Sequence, residues 1–204
     1  MRIFLIHIRD PQFYALPAAT RAKNGNIRVM GFPPIGIMSL SAVVKRAGHE
    51  CVMFDQANPE TPNEVIVNEI RRQQPDLVGL SFLSTTSYPH AKILARQIRA
   101  ADSRIRLAFG GVFATLNAEL VKQQCPEVNF VCRGDGEQLI LDLLERLDDP
   151  DDVAGLTWEK DGRAVHNPNR ALDRALDGGD RLFLRKHARQ REKAGLQHSV
   201  DAPR

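Results

Sequence analysis

Short, nearly continuous apolar runs alternate with longer stretches in which apolar residues recur at helical spacing. The runs Ile3–Ile8, Cys51–Phe54, Leu77–Leu83, Ile105–Phe109 and Val128–Cys132 predict strands buried on both faces. In the third, Val78, Leu80 and Phe82 point one way, and Leu77, Gly79, Ser81 and Leu83 the other. The intervening pattern predicts helices over 35–47, opened after Pro33-Pro34 and stopped by Gly48; over about 62–74; over 90–101, with Pro89 just ahead; over 117–124; and over 138–147. Their expected inner faces include Met38, Leu40, Val43 and Val44 in the first, Val65, Ile66, Val67 and Ile70 in the second, and Ile93, Leu94 and Ile98 in the third. Strict strand–helix alternation means a doubly wound parallel sheet, and five strands favour the flavodoxin-like (Rossmann-like) order 2-1-3-4-5.

Three segments fall outside this rhythm. The loop from Arg9 to about Pro34 is long for a compact domain and reads as a lid or binding loop. After the acidic run Asp148–Asp152, residues 155–166 read as a β-hairpin with Asp161-Gly162 in the turn. From Ala171 the period is lost and basic residues dominate. The chain thus divides into a Rossmann-like domain at 1–150, a hairpin extension at 151–170, and a basic, partly helical or disordered tail at 171–204.

An apolar share of 43% supports a real core. The net charge of +3 is too small to argue for nucleic acid, and all of it sits in the tail. No apolar run is long enough for a membrane span, and Ile3–Ile8 is too short for a signal segment, so a cytoplasmic protein is expected. Cys51, Cys125 and Cys132 form no close pair and read as buried thiols.

Ligands of an open parallel sheet bind beyond the carboxyl ends of the strands. That places His7, Arg9 and Asp10, then Ser81 to Thr86, then Gly110 to Thr115, then Arg133 to Glu137, around one crevice. Gly110-Gly111 permits close approach of a bulky ligand or marks a plain turn. Ser81 bonds a ligand or a neighbouring backbone group, and Asp55 caps a loop or binds a ribose. Arg133 and Glu137 touch a ligand or partner, or form a local ion pair and a helix-terminal carboxylate. No phosphate loop, dinucleotide fingerprint or nucleophile elbow is present.

Several segments together resemble one family. Gly79-Leu80-Ser81-Phe82-Leu83 matches the SxL element of cobalamin (vitamin B12)-binding domains, and Phe109-Gly110-Gly111 their GG element. Pro33-Pro34-Ile35-Gly36 with Leu40, Ala47-Gly48-His49-Glu50, Phe54-Asp55, Arg133-Gly134-Asp135-Gly136-Glu137 and Gly155-Leu156-Thr157 extend the likeness. Over about residues 1–170 the chain resembles the N-terminal half of B12-binding radical-SAM proteins. The resemblance implies a corrinoid over the strand ends with its nucleotide tail beside the third strand. It implies cofactor contacts from Ser81, Phe82, Leu83, Ser84, Thr85, Thr86, Gly110, Gly111, Val112, Phe113, Arg133, Gly134 and Glu137.

Two departures shape that expectation. The DxHxxG loop that supplies an axial histidine is absent after the first strand. Cobalamin is therefore expected with its base displaced and no protein histidine on cobalt, His7 being the one candidate ligand. No CxxxCxxC occurs, so no iron–sulfur cluster and no catalysis by this chain alone are expected. The leading reading is a corrinoid-binding module serving a separate radical-SAM or other catalytic subunit. A partner-dependent methyltransferase or cyclase component, and an interaction domain that has lost its cofactor, are the alternatives. A leucine at Gly111 is expected to block the tail channel and leave the fold intact.

Overall fold

The computed structural model describes residues 1–10, 34–57 and 60–170, which leaves outside it the long first loop apart from its ends and the basic tail. Among the described residues the strands are β1 (Arg2–His7), β2 (Glu50–Asp55), β3 (Leu77–Ser81), β4 (Arg106–Gly110), β5 (Phe130–Cys132), β6 (Leu156–Lys160) and β7 (Arg163–His166). The helices are α1 (Ile35–Arg46), α2 (Asn63–Gln73), α3 (Tyr88–Ala101), α4 (Val112–Leu116), α5 (Ala118–Gln124) and α6 (Gly136–Glu145). One sheet runs in the order β2-β1-β3-β4-β5-β6-β7. Its first five strands are parallel and have the flavodoxin-like order. The hairpin β6–β7 continues the same sheet, antiparallel to β5, with Phe130 opposite Trp158 and Cys132 opposite Leu156. Its turn places Asp161 at φ +51° and Gly162 at φ +74°, the double positive φ of a type I′ turn.

Strand alternation sorts the core into two layers. Phe4, Ile6, Val78, Leu80, Phe82, Leu107 and Phe109 pack against α2, α3, α4 and α5. Ile3, Leu5, Leu77, Ala108, Phe130 and Leu156 pack against α1 and α6. The helical stripes are narrower than the sequence suggests. Met38, Val65 and Ile93 lie outward, while Ile37, Ser41 and Val44 form the buried stripe of α1. Gly48, at φ +86°, stops α1 by the expected left-handed turn, with Ala47 N–H donating to Val43 O at 3.0 Å.

The amino end of the sheet is sewn together by side chains. Arg2 donates from its backbone N to Asp76 Oδ2, from Nε to Glu50 Oε2 and from Nη1 to Gln73 O, each at 2.7 Å. The Arg99 guanidinium serves the carbonyls of Ser103, Ile105 and Glu127 and the amide oxygen of Asn129.

The segment after β7 is built into the body. Asn167 Nδ2 donates to Pro150 O at 2.7 Å and Val153 O at 2.9 Å, and Trp158 Nε1 donates to Asn167 Oδ1 at 3.2 Å.

Candidate functional site

Register fixes the site. At the carboxyl edge Asp55 pairs with His7, His7 with Ser81, and Ser81 with Gly110. Two residues earlier Met53 pairs with Leu5, Leu5 with Gly79, and Gly79 with Ala108. Side chains in these two rows share the face roofed by α1 and α6. Its middle carries only small residues, Gly79, Ser81, Ala108 and Gly110, with the Leu5 side chain leaning over Gly79, where an added Cβ would lie 3.1 Å from Leu5 Cδ2. Leu5 and His7 wall it on the β1 side, Phe130 and Cys132 on the β5 side. Three strand spacings separate those walls, about 14 Å centre to centre. A Cβ on Gly110 would sit 3.9 Å from Cys132 Cβ, with no other contact that close. The floor is a trough that opens at the strand ends, where Ser81 and Gly110 are partly exposed.

Gly111 is a glycine for another reason. It has φ +94°, and a Cβ there would lie 2.3 Å from the Phe82 carbonyl oxygen. Backbone passes over backbone at this point, so a leucine at Gly111 would break the β3–β4 edge and not merely fill a channel. The expectation that the fold tolerates it is corrected.

The remaining sequence-derived residues separate by what they touch. Phe82 and Phe113 are buried, in a cluster with Phe109 and Tyr88. Leu83 is 62% exposed and Val112 54%, an apolar rim beside the trough mouth. Ser84 Oγ donates to Asp10 Oδ2 at 2.7 Å and Thr86 Oγ1 to Asp10 Oδ1 at 3.0 Å, so these hydroxyls tie the β3–α3 turn to the end of β1. Thr85 is exposed. Gly134 N–H donates to Thr115 Oγ1 at 3.1 Å. Glu137 accepts from Ser39 Oγ at 2.7 Å, joining α6 to α1. The Arg133 guanidinium turns to the hairpin, donating to Leu156 O, Asn167 O and Asn169 Oδ1. Asp55 caps its loop, accepting from Ala57 N–H at 2.9 Å.

On the roofed face of this edge the Ser81 hydroxyl and the His7 ring have no hydrogen-bond partner among the described residues; the exposed Thr85 and Asp135 nearby also have none, and Arg133 Nε is buried without one. Burial lowers the His7 pKa below its ordinary value, and the nearby Asp55 carboxylate opposes that shift. The thiols are inert by comparison, burial pushing Cys125 and Cys132 up to about 12. Sequence reasoning missed Gly79 and Ala108 as floor residues. The signal was present: Gly79-x-Ser81 and Ala108-x-Gly110 place small residues on one face of neighbouring strands.

A family model described as "B12 binding domain" matches residues 28–144. An "uncharacterized methyltransferase" of Pyrococcus horikoshii is 26% identical over 155 residues, which are 74% of this chain and 33% of that protein. The anaerobic magnesium-protoporphyrin IX monomethyl ester cyclase of Synechocystis is 26% identical over 165 residues, 76% of this chain and 33% of the cyclase. The chain spans about a third of the length of these curated relatives. Among solved structures, the cobalamin-dependent S-adenosylmethionine radical enzyme OxsB, with aqua-cobalamin and S-adenosylmethionine bound, superposes with a TM-score of 0.66. Identity is 17%, over 84% of this chain and 22% of that one, a likeness of fold.

Proposed function

As the chain belongs to the B12-binding domain family, we propose that it holds a corrinoid over the carboxyl ends of β1, β3, β4 and β5, with the nucleotide tail in the trough. The observation that carries this reading is the Ser81–Gly110 pair: an unpartnered hydroxyl beside a glycine, over a floor of Gly79 and Ala108. A larger side chain at Gly110, where an added Cβ meets only Cys132 Cβ at 3.9 Å, would fill the mouth, and a polar tail needs both room and a hydrogen-bonding group. Leu83 and Val112 offer apolar surface to the macrocycle at the mouth. Ser84, Thr86 and Asp10 hold the turn that carries Leu83. Gly111 and Phe82 fix the backbone beneath. Gly134, Glu137 and Arg133 act from the β5 side, Glu137 by pinning α6 to α1 and Arg133 by pinning the hairpin.

A bound corrinoid supplies a cobalt centre able to carry a methyl group or to support radical chemistry. In our reading the base is displaced and no protein histidine ligates cobalt, because His7 lies within β1 on the roofed face and not on a loop beyond the strand ends. The reacting partner is a radical-SAM or other catalytic unit, since these 204 residues contain no CxxxCxxC. The relatives named as a methyltransferase and a cyclase support that class of chemistry. Among the described residues no helix is long and apolar enough to cross a membrane.

The test is direct. Purified protein is mixed with hydroxocobalamin, desalted, and its visible spectrum recorded. Stoichiometric co-elution with a base-displaced spectrum is expected. Folded protein that elutes without corrinoid overturns the reading in favour of a domain that has lost its cofactor.

A further inference from the structure

We propose that residues 167–170 form a strap that holds the roof helix α6 down on the sheet, and that release of the strap loosens the roof and speeds the departure of a bound corrinoid. The hold on α6 stands on this structure alone; the link to retention rests on the corrinoid-binding reading.

The strap leaves β7 and runs back along α6, and each of its residues is bonded to the body. Asn167 reaches the loop that follows α6, through the carbonyls of Pro150 and Val153. Pro168 O accepts from Gly155 N–H at 2.8 Å. Asn169 Oδ1 accepts from Arg133, just past β5. Arg170 Nη2 donates to Asp142 Oδ2, in the second half of α6.

Two of these contacts act on α6 itself. The side chains of Arg170 and Asp142 are 25% and 32% exposed, so the ion pair is largely shielded from water. Without Arg170 the carboxylate keeps one hydrogen-bond donor, Gln138 Nε2 at 2.8 Å on its own helix. Gly155 is the second link. Its φ is +83°, and an added Cβ would lie 2.8 Å from Arg133 O and 3.0 Å from Leu139 Cδ1. Strap, strand end and α6 therefore meet with no side chain between them. Leu139 belongs to the buried stripe of α6, with Ile140, Leu143 and Leu144.

The docked strap also carries a cost. Arg133 Nε and Arg170 Nε are buried without a hydrogen-bond partner among the described residues. Release would hydrate both donors, which opposes the ion pair and the amide bonds. A segment balanced in this way opens at a free energy below that of global unfolding. Its opening removes the partner of Asp142 and the support beneath Leu139, so α6 lifts on the β5 side of the trough.

The test compares the full chain with Arg170→Gln, Asp142→Asn and the charge-keeping Arg170→Lys. Folding is checked by circular dichroism, amide exchange is followed by mass spectrometry without corrinoid, and dissociation of bound hydroxocobalamin is followed by absorbance. In Arg170→Gln and Asp142→Asn the amides of residues 140–145 should exchange about fivefold faster than in the wild type, the worth of one partly shielded ion pair, while those of β1, β3 and α3 stay unchanged. Hydroxocobalamin should leave these variants about threefold to fivefold faster, and Arg170→Lys should recover most of both effects. The double variant should be no worse than either single one, since both remove the same bond. If Asp142→Asn does not fold, Arg170→Gln decides. Folded variants whose α6 exchanges like that of the wild type overturn the strap, as does exchange raised equally throughout the sheet. Faster exchange in α6 with an unchanged hydroxocobalamin off-rate overturns the link to retention. Wild-type protein that binds no hydroxocobalamin overturns the corrinoid reading, and the exchange result still decides whether the strap governs α6.

Discussion

The adjacent glycines Gly110 and Gly111 should fail in opposite ways. At Gly111 an added methyl meets the Phe82 carbonyl oxygen at 2.3 Å and the Phe82 backbone N and C at 3.1 Å. The first distance is more than 1 Å short of a comfortable separation of about 3.5 Å. The obstacle is main chain at the end of a central strand, so it cannot rotate away. Gly111 also has φ +94° and ψ 179°, a region open essentially to glycine alone. Strain of about 1–3 kcal/mol and overpacking of about 1–3 kcal/mol give roughly 2–6 kcal/mol, out of about 5–15 for a whole domain. At about 2–4 °C per kcal/mol, Gly111→Ala should melt at least about 4 °C below the wild type. At Gly110 a Cβ meets nothing nearer than Cys132 Cβ at 3.9 Å. Gly110→Ala should therefore melt within about 1 kcal/mol of the wild type, with restriction of the unfolded chain in its favour. Gly110→Leu should stay folded and lose hydroxocobalamin on desalting. Thermal melts of the variants are the assay. A Gly111→Ala protein that melts with the wild type, or a Gly110→Ala protein as weakened as Gly111→Ala, would refute the division of roles.

Asn167→Ala should cost about 1–3 kcal/mol, because it removes the amide bonds to the carbonyls of Pro150 and Val153, each of which keeps one backbone donor, and leaves the indole N–H of Trp158 without its partner; urea unfolding followed by Trp158, the only tryptophan, measures it. The lowered pKa of His7 means that the unfolded chain binds this proton more readily than the folded one. Stability should therefore fall as pH drops below 6.5 towards the folded value, and His7→Phe should remove that part of the slope in melts taken between pH 7.5 and 5. Cys125 and Cys132, held up to about 12, should react with a thiol-specific disulfide reagent at neutral pH far more slowly than in urea-unfolded protein.

The strands and their order were legible because parallel strands buried on both faces leave almost unbroken apolar runs, and because Gly48 and Asp161-Gly162 sit where positive φ is needed. Helix α4 was not legible: Val112–Leu116 is too short to show a period. The site was legible only in part. Small residues after β3 and β4 announced a crevice, but the sequence could not say which hydroxyls face it. That depended on Asp10, which engages Ser84 from 74 residues away. Arg133 likewise looked free for a ligand until its acceptors were seen on β6, at Leu156, and just after β7, at Asn167 and Asn169.

The seam of Arg2 and Arg99 lies at the end of the sheet opposite the trough, and it sets where the molecule breathes. Amide protons nearest that seam should exchange with solvent only on global unfolding. Those at the carboxyl edge, held by loop-to-loop hydroxyl bonds, should exchange through smaller openings of lower free energy. A bulky ligand can then enter by local fraying of the upper edge, while the hydrogen-bonded hem below keeps the strands in register for its return.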